Sequence, residues 1–133
     1  MTKAIDKLAW FYIKDKQLLA ARSKGKDAFY IPGGKREAGE SDEEALLREI
    51  REELSIDLIP ETIHYLNTFA AQAHGKPEGT MVQMTCYQAD FRGEIQIDSE
   101  IEELCWIRHG DHEKCSPVVV LILDWLLAQG LIE

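Results

Sequence analysis

The stretch PGGKREAGESDEEALLREIREELSI, Pro32–Ile56, decides how this chain is read. Its second half is dominated by charge, and three glutamates crowd together as Glu49, Glu52 and Glu53. Ser41 is a natural N-cap. Glu44, three residues on, completes a capping box ahead of Ala45, Leu46 and Leu47, so the sequence predicts a helix from Ser41 to near Leu54. At about 100° per residue, Leu46, Leu47, Ile50 and Leu54 share an arc of about 100°, a stripe that faces a core. The three glutamates fill the neighbouring arc, beside the buried face.

Like charges at i, i+3 and i+4 cost a few tenths of a kcal/mol per pair on an exposed helix, and the negative end of the helix dipole adds to that cost. Glu44 with Arg48 and Arg48 with Glu52 offset part of it, so one reading is a solvated helix laced with ion pairs. The other reading is that divalent cations complete the site. Hard oxygen ligands on one rigid face suit Mg²⁺ or Mn²⁺, and the Pro32-Gly33-Gly34 turn is able to bring a main-chain carbonyl against the same face.

Working outward, Ile5–Ile13 (IDKLAWFYI) and Leu18–Ser23 (LLAARS) read as strands around the turn at Asp15-Lys16-Gln17. Apolar residues on both parities imply cover on both faces. Ala28–Ile31 (AFYI) is a further short strand, which Pro32-Gly33-Gly34 should stop, with a loop through Glu40. Thr62–Gln72 and Thr80–Phe91 read as strands around the tip AHGKPEG, and Glu102–Arg108 as a last strand. Ser116, Pro117 and Gly130 bound a second helix. Strands before and after a central helix give an α/β fold, a sandwich of helices about a mixed sheet.

The chain has 133 residues, 45% of them hydrophobic and 29% charged, which suits one domain with a real core, residues 1–133. A net charge of −9 argues against a nucleic-acid polymer or an anionic membrane as partner. An anionic ligand then needs cations to mediate its binding. The start MTKAIDKLAWFYIK does not read as a signal peptide, and no long uncharged run suggests a membrane span, so a cytoplasmic location is expected. Cys86, Cys105 and Cys115 lack CxxC spacing and suit packing or free thiols in a reducing compartment.

From Gly34 to Ile56 the chain resembles the signature of the Nudix hydrolases, G-x5-E-x7-R-E-U-x-E-E-x-G-U with U aliphatic. Gly34, Glu40, Arg48, Glu49, Ile50, Glu52, Glu53 and Ile56 occupy their positions, and Ser55 stands where glycine is expected. A serine in a left-handed C-cap should cost roughly 1 kcal/mol. That departure touches helix termination, not the carboxylates.

The resemblance implies a Nudix-type α/β/α sandwich and hydrolysis of a nucleoside diphosphate linked to a group X. It implies Mg²⁺ or Mn²⁺ on the Gly33 carbonyl, Glu49, Glu52 and Glu53, with Glu52 and Glu53 nearest the attacking water. It also implies that Arg48 orients a glutamate, that Glu40 ties the loop to the helix, and that Gly34 belongs to the same support. A further carboxylate is expected from IDSEIEELCW, with Glu100 preferred to Glu103 as catalytic group. Arg22, Lys35 and Arg36 are candidates for phosphate contact, each weighed against an ordinary solubilising charge.

The favoured substrate is a small nucleotide, canonical or oxidised nucleoside triphosphate first, with ADP-ribose and dinucleoside polyphosphates as alternatives. A nucleotide-binding sensor without turnover is disfavoured by the intact helix glutamates. A P-loop fails because no Ser or Thr follows the lysine of GGK. His109, His112 and Cys115 are weak evidence for zinc. Trp10, Phe11, Tyr12 and Trp106 read as packing before stacking. A two-fold homodimer suits a protein of this kind, though no apolar stripe in the sequence establishes one.

Overall fold

The computed structural model describes residues 4–98 and 100–133. Strand β1 (Ile5–Phe11) runs parallel to β7 (Met81–Gln88), which pairs antiparallel with β6 (His64–Gln72); β4 (Gly33–Lys35) closes the other edge antiparallel to β1. The result is a mixed sheet of order β4-β1-β7-β6. Strands β2 (Ile13–Lys14), β3 (Gln17–Ser23) and β9 (Ile101–Ile107) form a second, antiparallel sheet, and β5 (Asp57–Leu58) pairs with β8 (Phe91–Arg92). Helices α1 (Asp42–Leu54) and α2 (Pro117–Ala128) cover opposite faces of this middle layer.

Alternation along β1 and β3 creates the two cores. Leu8, Trp10, Leu19 and Ala21 pack with Leu46, Ile50 and Leu54 of α1, whereas Ala9, Phe11, Leu18 and Ala20 pack with Val119, Ile122, Leu123 and Leu126 of α2. A strand buried on both faces shows no polar alternation, which is why its sequence is apolar on both parities. The expected middle sheet is thus built as two sheets. Asp15 and Lys16, both at positive φ (52° and 62°), make the two-residue turn between β2 and β3.

Two expectations are corrected. Ala28–Ile31 is not a strand: Phe29 and Tyr30 make only single bridges, to Cys115 and Ala21. The diglycine does not end pairing; Gly33, Gly34 and Lys35 register against Ala9, Leu8 and Lys7. Gly33 manages this at φ 146°, where an added Cβ would lie 2.0 Å from the Leu8 carbonyl oxygen. Only glycine permits that approach.

Helix α1 starts as predicted. Ser41 accepts the Glu44 N–H at 3.2 Å and Glu44 accepts the Ser41 N–H at 3.0 Å. It ends at Leu54 with Ser55 in the left-handed region, φ 61° and ψ 29°, its N–H bonded to the Arg51 carbonyl at 3.0 Å. Helix α2 has Ser116 at its N-cap position, Pro117 in its first turn, and Gly130 at φ 74° just beyond it. No helix among the described residues is long and apolar enough to cross a membrane.

Candidate active site

Helix α1 lays its apolar stripe on β1 and so presents Glu49, Glu52 and Glu53 toward β4 and the loop before β9. That loop is stitched to the helix end: the Gln96 N–H bonds the Leu54 carbonyl at 2.9 Å and the Asp98 N–H bonds the Glu53 carbonyl at 3.0 Å. The Glu100 carbonyl accepts the Lys24 N–H at 2.9 Å. These bonds hold Glu100 over the helix. Glu49, Glu52, Glu53, Asp98 and Glu100, with Tyr30 and Ile101, line a cavity of about 150 Å³.

The carboxylates are not equivalent. Glu52 is exposed, whereas Glu53 is largely buried, and its carboxyl is pushed up to about 8, by burial first and by Glu49 next. Its oxygens are placed by the Gly33 N–H at 3.2 Å and the Tyr30 hydroxyl at 3.3 Å. Burial also raises Glu49, against the opposing pull of Arg48. Tyr30 in turn is pushed up to about 12 by burial and by Glu53.

Arg48 organises the ring from behind. Its Nε and Nη2 grip Glu40 at 2.7 and 2.8 Å, Nη1 donates to Glu49 at 2.9 Å, and Nη2 also reaches the Lys35 carbonyl at 3.1 Å. This fork holds the Glu40 carboxyl down at about 2, aided by the Glu37 N–H. The loop, β4 and helix are thereby tied together. Gly34 is needed for the same contact, since a Cβ there would lie 2.3 Å from a Glu49 carboxylate oxygen.

A second cavity, of about 350 Å³, shares Tyr30 with the first. Its floor is Ile5, Phe29, Val82, Met84 and Val118, and Lys7, Lys26, Lys35, Lys76 and His74 surround it. Burial and the neighbouring Lys35 lower the Lys7 ammonium. Lys35 was foreseen in the sequence, but Lys7, Lys26 and Lys76 were not. Lys7 meets Lys35 only through the β1–β4 register, and the other two come from loops after β3 and β6. A larger cavity of about 570 Å³ lies at the opposite end of β1 and β7, against Phe11, Tyr12, His64 and Gln88. Among the described residues it has one carboxylate, Asp90, and no lysine in its lining, so chemistry rather than volume makes the glutamates the candidate site.

Arg22 and Arg36, expected at phosphate, are committed elsewhere. Arg22 holds Glu103 at 3.1 Å and Glu102 at 3.2 Å, and Arg36 holds Asp6 at 3.0 Å and also Asp42. The same pairing removes Glu103 from the cavity that Glu100 lines. Trp10 and Phe11 are buried; Tyr12 stacks on Trp10 and meets Trp106 edge-on, all away from the glutamates. His109 bonds Asp124 at 2.7 Å and Cys115 donates to the Asp111 carbonyl.

The matching sequence model of the NUDIX domain spans residues 8–121. The chain belongs to the Nudix family. It is a hydrolase of the nucleotide pyrophosphohydrolase class, and Nudix hydrolases generally use divalent cations. No curated protein sequence gives a significant match. The E. coli ORF135 protein superposes with a TM-score of 0.74 at 26% identity, over 96% of this chain and 91% of that one. The MutT Nudix hydrolase from Burkholderia pseudomallei gives 0.70 at 22% identity, over 96% and 98%. The MutT protein from Methanosarcina mazei Go1 gives 0.76 at 15%, over 97% and 96%.

Among the described residues, no three His, Cys, Asp or Glu side chains already converge as a metal site. Arg48 draws Glu49 aside, and Gly33 and Tyr30 hold Glu53. The donor set nevertheless fits a hard divalent cation: five carboxylates and the Tyr30 hydroxyl, all oxygen donors, around one cavity, one carboxylate buried at a cost that a cation would offset.

Proposed function

We propose that this Nudix hydrolase cleaves a nucleoside diphosphate linked to X, with a canonical or oxidised nucleoside triphosphate as first substrate, giving monophosphate and pyrophosphate. Glu49, Glu52, Glu53 and the Gly33 carbonyl would hold Mg²⁺ or Mn²⁺. The observation that carries this reading is the adjacency of the two cavities, carboxylates on one side of Tyr30 and lysines on the other.

When bound, the cation neutralises phosphate charge and acidifies water. The chain itself does the rest. Lys7 and Lys35 draw the diphosphate against the glutamate face, and the apolar floor takes the nucleobase. The water oxygen bonds a bridge phosphorus as the anhydride P–O bond breaks. Its proton passes to a carboxylate oxygen of Glu100, the acid that lines the cavity where Glu103 does not, or to Glu52. Arg48 and Glu40 act through others, by fixing Glu49 and the loop. We read residues 1–133 as one such domain, working in the cytoplasm on a free nucleotide.

The test is a nucleotide panel with Mg²⁺ and product identification. Monophosphate with pyrophosphate from a triphosphate is expected. Release of orthophosphate alone, or no product from any nucleotide, contradicts the reading.

A further inference from the structure

Most of the described arginines are held by carboxylates, Arg92 excepted, and Lys114 is paired with Asp111. Arg22, Arg36, Arg48, Arg51 and Arg108 each pair with a carboxylate. Among the described residues Lys7, Lys26, Lys35 and Lys76 form no ion pair, yet all four surround one cavity. Lys7 and Lys35 stand directly opposite each other across β1 and β4. Like charges so placed are destabilising, and a protein with a net charge of −9 has carboxylates to spare for them. Leaving them unpaired suits a ligand that supplies the negative charge.

The outer two lysines are brought together by a strap. His74 Nε2 meets Asp27 Oδ1 at 2.9 Å, joining the loop after β3 to the loop after β6. Lys26 precedes Asp27 and Lys76 follows His74 by two residues, so this contact joins the two loops whose lysines line the cavity. Lys7 and Lys35, carried on strands beside the glutamates, already suffice for a diphosphate bridge.

We propose that Lys26 and Lys76 form an anion seat at the mouth of the lysine cavity that selects nucleotides whose group X bears its own negative charge. Phosphate or polyphosphate is then preferred as X over an uncharged sugar. This rests on the reading of the cavity as the substrate cleft. Two exposed ammonium groups attract a multiply charged group, the more so at low salt, and leave a neutral group almost unaffected.

The experiment compares kcat/KM for a nucleoside triphosphate and for the matching nucleoside diphosphate hexose, in wild type, in Lys26→Ala/Lys76→Ala and in Lys26→Arg/Lys76→Arg. The triphosphate-to-hexose ratio is expected to fall at least ten-fold in the alanine pair and to recover in the arginine pair. An unchanged ratio overturns the seat while leaving the hydrolase reading intact. If wild type turns over neither compound, the triphosphate reading fails instead, and calorimetric binding of inorganic tripolyphosphate in EDTA still decides the seat. Wild type should bind it at least ten-fold more tightly than the alanine pair; equal affinity overturns the proposal.

Discussion

Arg48 closes on Glu40 as a fork on a fork, Nε to Oε2 at 2.7 Å and Nη2 to Oε1 at 2.8 Å, eight residues apart in sequence and across the loop-to-helix junction. Glu40 also accepts the Glu37 N–H at 2.8 Å. Its carboxyl therefore sits at about 2 instead of the ordinary 4.5. A depressed carboxyl contributes stability that is present above its unfolded value and lost as pH falls through its folded one. Glu40→Gln should then be less stable than wild type above pH 4.5, and the gap should close between about pH 4.5 and 2. Urea unfolding across that range checks it.

Glu53 gives the opposite sign. Burial raises its carboxyl from 4.5 to about 8, so the stability it contributes is complete below pH 4.5 and is lost as pH rises through 8. In EDTA, wild type should lose up to about 1 kcal/mol per pH unit across that window from this group. Glu53→Gln should flatten the profile and melt higher than wild type at pH 8 without divalent ions, while its turnover falls at least 100-fold. Melting curves in EDTA from pH 5 to 9 test the first part, and initial rates the second.

The adjacent glycines should fail differently. A Cβ on Gly33 meets the fixed Leu8 carbonyl, at a φ of 146°, so Gly33→Ala should destabilise by roughly 3 kcal/mol or strip β4 from the sheet. A Cβ on Gly34 meets only the end of the Glu49 side chain, which can turn away at the cost of its Arg48 bond. Gly34→Ala should fold, with circular dichroism unchanged, and lose at least ten-fold in kcat. Equal stability losses in the two variants would show that the close approaches do not set the outcome.

Ser55→Gly should stabilise the chain by about 0.5–1 kcal/mol, because φ 61° is strained for serine and open to glycine. Activity should not change, since Ser55 lies past the last helix glutamate and touches none of the cavity. Denaturant midpoints with an unchanged slope are the readout.

What the sequence revealed follows the range of the interactions. Helix α1 was legible from cap to cap because Ser41, Glu44 and the leucine stripe act within a few residues. The family signature spans that same local stretch, so Glu49, Glu52, Glu53, Arg48 and Glu40 were legible together as one candidate set. β4 was missed because Pro-Gly-Gly normally stops pairing, and only Ala9 and Leu8, far upstream, show why glycine pairs here. The lysine cavity was missed for a related reason: its four cations come from two strands and two loops that only the tertiary fold brings together. The ion pairs of Arg22 and Arg36 were not legible because their partners, Glu103 and Asp6, are distant in sequence.

The proposed hydrolysis depends on divalent-cation binding by the carboxylates of α1. Mn²⁺ titration followed by electron paramagnetic resonance, in wild type and in Glu49→Gln/Glu52→Gln/Glu53→Gln, tests it most directly. Loss of the free-ion signal into at least one site in wild type, absent in the triple variant, is the predicted result. Equal Mn²⁺ uptake by both proteins would contradict it.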